Sequence, residues 1–199
     1  MKTLLLKIPL VRNVVFERGV RREIEAGEYR PSIQPTHILD LGAHKGFATM
    51  WFSRQYPDAI IHAYEPNPMI FPVLQRNTAH LKNVTLFCEA VAQQDGTVAF
   101  HLYDNYLSSS IFGTGEAISV PSVSLGTAVR RIGGDRIFLK IDIEGAEYGV
   151  LKNIPLQIEE VIGEAHPKKA KRNNGELRAA LSSFGRVDIG EGTCIFHAV

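Results

Sequence analysis

The stretch Thr36–Pro66, THILDLGAHKGFATMWFSRQYPDAIIHAYEP, constrains this chain more than any other. A short apolar run enters a glycine-framed loop, a helix-like segment follows, and a second apolar run ends on an acid. That order predicts strand, loop, helix, strand, the unit from which parallel sheets are built. Asp40 closes the first strand, Gly42 and Gly46 frame the loop, and Glu65 follows the second strand, 25 residues after Asp40. Ligands of such sheets bind beyond the carboxyl ends of the strands. The loop and Glu65 are therefore the first candidates for holding a nucleoside-bearing cofactor.

The alternation continues. Strands are expected at 36–41, 59–64, 84–88, 136–142 and 158–165, with helices at 46–56, 67–80, 124–132 and 145–153. An extra strand at 97–104 follows the Asp95-Gly96 turn, SSSIFGTGE at 108–116 reads as a loop, and 119–125 as a short extended piece. The tail fits a helix at 173–183 and a hairpin of strands 185–189 and 193–198 around Gly190-Glu191-Gly192. A closing hairpin on an otherwise parallel sheet sets this chain apart from a plain dinucleotide-binding fold. Residues 13–30 are charged with a weak helical period, and Pro31 and Pro35 stop any helix before the first strand.

A chain of 199 residues with 45% hydrophobic and 22% charged residues reads as one globular domain, 1–199, with an N-terminal arm or helix over 1–35 and the core over 36–199. The net charge of +1 gives no global attraction to nucleic acid or an anionic membrane. Cys88 and Cys194 lie far apart with no CxxC, so a reduced, cytoplasmic setting is expected. Lys7, Pro9 and Arg12 interrupt the apolar N-terminus, which reads as a docking strand or helix rather than a targeting or spanning segment.

Gly42-Ala43-His44-Lys45-Gly46 is G-x-x-x-G, not the G-x-G-x-x-G that lets a backbone approach a pyrophosphate, and GAHKGF lacks the spacing and Ser/Thr of a P-loop. S-adenosylmethionine has no pyrophosphate and suits a different spacing. Gly42 is expected to clear the strand end for the cofactor and Gly46 to allow a tight helix entry. Ala43 shares the loop. Glu65, followed by Pro66, is expected to accept hydrogen bonds from both ribose hydroxyls, since an ionised carboxylate is acceptor-only. Asp40 either orders the loop or holds the methionine end. Glu89 and Ala90, ending the third strand, are placed at the adenine, though an exposed strand-end acid explains Glu89 equally well.

Phe138–Glu147, FLKIDIEGAE, is the second dense motif. Alternation puts Lys140 and Asp142 on one strand face. Asp142, Glu144 and Glu147 then gather around Gly145. A helix N-terminus accounts for Glu147 but less well for Asp142, which faces the crevice. Lys140 is expected to be structural or to orient Asp142 or Glu164. Asp142 with Glu144 resembles a carboxylate pair for a divalent ion, but no third ligand is evident and no metal is expected. Lys168, Lys169, Lys171 and Arg172 read as a solvated helix start.

The segments ILDLGAHKGF, HAYEPNP, EAVAQQDGTVAF, SSSIF and FLKIDIEGAEYGVLKN, in this order over roughly 36–166, resemble FkbM-type methyltransferases. KIDIEGAE is the most specific of them. His44-Lys45 departs from the family's usual Asn and small apolar residue. The resemblance implies an α/β Rossmann-like class I fold, a mostly parallel seven-stranded sheet with a C-terminal antiparallel hairpin and helices on both faces. It implies S-adenosylmethionine as cofactor and methyl transfer to a hydroxyl of a small molecule or sugar. An acceptor hydroxyl benefits from a base, for which Asp142, Glu164 and His166 are the candidates at the carboxyl edge, with His44 beside them. Ser108–Ser110 is a candidate contact for the acceptor. The alternative is a non-catalytic cofactor-binding or assembly module. The sequence assigns no oligomeric state.

Overall fold

The computed structural model describes residues 9–102, 111, 116–190 and 195–199, with backbone alone for 9–16. By internal contacts the chain divides into two units, Met1–Arg30 and Pro31–Val199. The first holds helix α1 (Pro9–Glu25), which begins earlier than the charged pattern suggests because Pro9 is tolerated in a first helical turn.

The second unit is built on a seven-stranded sheet. Its central strands are β1 (His37–Leu41), β2 (Ile60–Tyr64), β7 (Ile137–Ile141) and β8 (Ile158–Glu164), and β3 (Val84–Phe87) lies at one edge. At the other end lie β9 (Val187–Ile189) and β10 (Ile195–Ala198). The spatial order is β3-β2-β1-β7-β8-β10-β9. β1 pairs in parallel with β2 on one side and β7 on the other, and β10 runs antiparallel between β8 and β9. The expected parallel sheet with a closing hairpin is present. Ile38, Leu39, Leu41, Ile137, Leu139 and Ile141 have no exposed surface, as strands covered on both faces require. The chain builds outward from β1 to β3 on one side and from β7 to β10 on the other. That reversal beside β1 opens a crevice at the carboxyl ends of β1 and β7.

In the chain between β3 and β7 lies a second sheet that the sequence does not announce. It has the order β4-β6-β5, from β4 (Ala90–Ala92), β5 (Gly96–Leu102) and β6 (Glu116–Ser124). β5 is the expected extra strand; its partner β6 is longer than the expected piece, and the two pair antiparallel over seven residues each. β4, expected as the end of the third strand, instead pairs in parallel with β6. Asp95, in the turn before β5, accepts from Ser124 N (2.7 Å) and Thr127 Oγ1 (2.8 Å), tying this sheet to helix α4 (Leu125–Ile132). Ser108–Ser110 and 191–194 lie outside the described residues.

Helix α2 (Phe47–Gln55) follows Gly46, whose φ of 84° is cheap for glycine. Phe52 packs edge-on to Phe138 at 5.6 Å, joining α2 to β7. α3 (Phe71–Thr78) starts later than expected, because Asn67 Oδ1 accepts from Met69 N (3.0 Å) and stabilises a turn first. α5 (Glu147–Val150) is a single turn rather than the nine residues expected, with Pro155 soon after it. α6 (Pro167–Ala170) and α7 (Asn174–Ala180) precede the hairpin; the Asn173 side chain caps α7 at Gly175 N and Glu176 N. Among the described residues no helix is long and apolar enough to cross a membrane.

Candidate active site

The loop after β1 is held from within. Gly42 N and Ala43 N both donate to Tyr64 O at 3.0 Å, and Gly46 N donates to Ala43 O at 2.8 Å. His44, at φ 49°, donates its N–H to Glu65 Oε2 at 2.8 Å. Pro66 has no N–H, so the next amide, Asn67 N, donates to Glu65 Oε1 at 2.8 Å. Glu65 thus clamps the loop to the end of β2. Burial raises its pKa to about 7, and the two amide hydrogen bonds pull against that rise.

The glycines serve the backbone. A Cβ on Gly42 would meet Asp142 O at 1.9 Å, and one on Gly46 would meet Leu74 Cδ1 at 2.7 Å. The space expected to clear a cofactor at Gly42 is filled by the turn after β7. The loop after β1 and the turn after β7 are therefore in direct contact. Ala43 packs with Ala63 and Leu74, and Ala90 with Phe100 and Val120, so both methyl groups are core.

Asp40 lies behind this loop with no exposed surface. It accepts from Thr49 Oγ1 at 2.6 Å and pairs with Lys140 Nζ at 3.2 Å, its register partner on β7. Lys140 also donates to Gly42 O at 2.8 Å. Burial works against the charge on Lys140, but Asp40 and Asp142 outweigh it and raise its pKa. Lys140 forms its ion pair with Asp40, and the charge of Asp142 also acts on it.

Glu89 forms a salt bridge with Arg131 of α4. The Arg131 guanidinium also lies over Phe87, 5.3 Å from the ring centroid, and Phe87 stacks on Tyr64 at 4.6 Å. This rim was not foreseen, since nothing in the sequence pairs residue 131 with residue 89.

Across the crevice the acids meet one imidazole. His166 Nδ1 lies 3.1 Å from Glu147 Oε1; Nε2 lies 3.3 Å from Glu144 Oε2, 3.8 Å from Glu164 Oε1 and 4.0 Å from Asp142 Oδ1. Glu147 is fully buried and accepts from Ile143 N (3.0 Å) and Gly145 N (2.9 Å). It does far more than meet a helix dipole. Burial alone would lower the His166 pKa, but the Glu147 hydrogen bond and the charges of Glu144, Glu147 and Asp142 push it up to about 9. Burial raises Asp142 to about 7; Lys140 opposes that rise and Glu164 adds to it. Lys169 pairs with Glu144, and Arg172 with Glu176 at 2.8 Å, so two of the four basic residues after His166 are engaged in ion pairs. The third donor missing beside Asp142 and Glu144 in the sequence is supplied by His166, which the fold brings in from the end of β8.

Fold and crevice together define a class I, Rossmann-like methyltransferase architecture. Residues 40–187 match the family described as "Methyltransferase FkbM domain". The chain belongs to the FkbM methyltransferase family, and that family implies S-adenosylmethionine as its cofactor. It is 28% identical over 154 residues to "Methyltransferase sdnD" of Sordaria araneosa, covering 59% of this chain and 60% of the relative. It is 23% identical over 150 residues to "Methyltransferase 1" of Beauveria bassiana, covering 62% and 60%. The chain thus spans about 60% of the length of these curated relatives. Among solved structures, a methyltransferase FkbM from Methylobacillus flagellatus superposes with a TM-score of 0.59 at 12% identity, over 86% of this chain and 45% of that one. A precorrin-6y C5,15-methyltransferase from Geobacter metallireducens superposes at 0.52 with 13% identity, over 91% and 87%. At those identities the likeness is one of fold.

The residues present fit the ribose of such a cofactor. Each oxygen of Glu65 spends one lone pair on a backbone amide and keeps another. Asn67, 2% exposed, carries a buried Nδ2 with no hydrogen-bond partner among the described residues. A free acceptor and a free donor at one strand end suit a vicinal diol, whose hydroxyls both donate and accept.

Proposed function

We propose that this chain transfers the methyl group of S-adenosylmethionine to a hydroxyl oxygen of a small molecule or sugar. The observation that carries the reading is the contact between Gly42 and the Asp142 carbonyl. It sets the Glu65-clamped loop and the Asp142–His166 cluster side by side on one carboxyl edge.

When bound, the cofactor supplies an electrophilic methyl group on a sulfonium; the protein supplies alignment and a place for the acceptor's proton. Glu65 and Asn67 hold the ribose end, with Gly42, Ala43 and Gly46 shaping the loop, Asp40 bracing it from behind and Glu89 standing at the adenine side. At the acceptor end the hydroxyl proton passes to the acid cluster. Asp142 is the foremost acceptor there, because no described group hydrogen-bonds its carboxylate and its pKa near 7 suits the task. His166 carries a proton at neutral pH and so balances the surrounding acids rather than accepting another. Glu164, at the end of β8, lies within reach of the same proton.

Calorimetry with S-adenosylhomocysteine tests the cofactor half, with one site per chain expected. A methyl-transfer screen over hydroxylated metabolites tests the acceptor half. No heat of binding would overturn the reading outright. Binding without turnover on any hydroxyl, in wild type and Asp142→Asn alike, would favour a non-catalytic cofactor-binding module.

A further inference from the structure

We propose that Asp142, Glu144 and His166 form a site for one divalent cation of the magnesium–manganese class, with Glu164 as a further donor and Glu147 as the positioning residue behind the imidazole. The site deepens the hydroxyl-transfer reading above, but the proposal concerns cation binding and is tested as binding.

The spacing is that of a coordination shell. One donor atom each from Asp142, Glu144 and His166 lies within 4.8 Å of the other two. Donors about 2.1 Å from an octahedral ion stand roughly 3 Å apart when adjacent and roughly 4.2 Å when opposite. The separations of 3.3 Å (His166 Nε2 to Glu144) and 4.0 Å (to Asp142) fall between those limits, as does the 3.8 Å to Glu164.

The imidazole is aimed. Glu147 has no exposed surface, and Ile143 N and Gly145 N fix its carboxylate. Its Oε1 receives His166 Nδ1 at 3.1 Å. In a neutral imidazole that bond places the proton on Nδ1 and leaves the Nε2 lone pair facing Asp142 and Glu144. A buried carboxylate orienting a histidine from behind is how metal-ligating imidazoles are commonly held.

Charge points the same way. Four carboxylates lie within 4.0 Å of the His166 ring nitrogens. With the imidazole neutral, Lys169 beside Glu144 and Lys140 near Asp142 are the positive charges set against those four. The Asp142 side chain is 28% exposed, and its carboxylate accepts no hydrogen bond from any described residue, so it is open to an added ion. Oxygen donors in the majority favour a hard cation, and the single imidazole tilts the choice toward manganese among them. An ion held there would also draw electron density from an acceptor hydroxyl bound to it, easing loss of its proton.

The test uses the full chain, stripped with EDTA and titrated with Mn2+, while free Mn2+ is followed by its paramagnetic resonance signal. One Mn2+ per chain is expected. Glu144→Gln and His166→Ala should each weaken uptake at least about tenfold, and Glu147→Gln by about 10- to 100-fold with unchanged stoichiometry. S-adenosylhomocysteine binding, measured on each variant, shows that it is folded. No Mn2+ uptake at millimolar concentration by a wild-type chain that binds S-adenosylhomocysteine would overturn the cation site and leave the methyltransferase reading intact. Wild-type-like uptake by folded His166→Ala and Glu144→Gln would overturn it as well. Mn2+ uptake with no S-adenosylhomocysteine binding would uphold the site and overturn the methyltransferase reading instead.

Discussion

The two halves of the crevice are held by different means. At the carboxyl ends of β1 and β2, main-chain amides do most of the work: Gly42 and Ala43 donate to Tyr64 O, and His44 and Asn67 donate to Glu65. Beneath them a buried Lys140–Asp40 pair ties β7 to β1. At the carboxyl ends of β7 and β8, side chains hold one another: Asp142, Glu144, Glu147 and Glu164 converge on His166. In a backbone-built pocket the amides do not titrate, which leaves Glu65 as the group whose charge follows pH. A side-chain-built one changes charge with every proton or cation it gains. The first suits a constant cofactor and the second a variable acceptor and its proton.

If that contrast is right, the largest single loss should come from the pair beneath the loop. Lys140→Met leaves the Asp40 carboxylate buried and unpaired, which should cost about 3–5 kcal/mol of unfolding free energy. Urea denaturation measures it, and adding Asp40→Asn should recover part of the loss. A cost below about 1 kcal/mol would show that the pair is no buried brace.

Glu147→Gln comes next. It removes the charge from a carboxylate that accepts from Ile143, Gly145 and His166, at an expected cost of about 1.5–3 kcal/mol in the same experiment. Because Glu147 stands apart from the Glu65 clamp, S-adenosylhomocysteine affinity should change little. A large loss of affinity would dissolve the division between the two halves.

Glu65→Gln reports on pH. Burial raises this carboxyl from 4.5 to about 7, so its contribution to stability is fully present below about pH 4.5 and is lost as pH rises through 7. Stability of the wild type relative to Glu65→Gln should therefore fall across that window. S-adenosylhomocysteine affinity should rise over the same window, because the ribose needs the ionised carboxylate. Glu65→Gln should flatten that rise and bind roughly tenfold more weakly at pH 8. Calorimetry between about pH 5 and pH 8 reads both effects, and an unchanged pH profile in the variant would remove Glu65 from the ribose.

The smallest effect is expected at the rim. Arg131→Ala breaks a partly exposed bridge to Glu89, worth at most about 1 kcal/mol by thermal denaturation. A larger loss would mean that the guanidinium on Phe87 matters more than the bridge.

Legibility followed the same division. Glu65 and the loop lie 25 residues or fewer from Asp40, within one βαβ unit, so strand period and glycine spacing locate them without a fold. What the loop does locally was less legible: the missing side chains of Gly42 and Gly46 make room for Asp142 O and Leu74 Cδ1, partners distant in sequence. Lys140 and Asp40 are a hundred residues apart and meet because β1 and β7 pair in register. The β4-β6-β5 sheet was missed because three-residue β4 has no period of its own and joins β6 only through tertiary pairing.

By itself the sequence determined which residues could be strand and which helix, where the first strand stops, and that acids would gather around Gly145. Those are local matters of side-chain period, backbone freedom at glycine and charge, and short segments carry them. The tertiary structure alone decided which side chains touch: His166 among four carboxylates, Lys140 on Asp40, Arg131 on Glu89. Such contacts join residues far apart in the chain, and the energies that select them exist only after parallel strands have aligned and water has been excluded from between them.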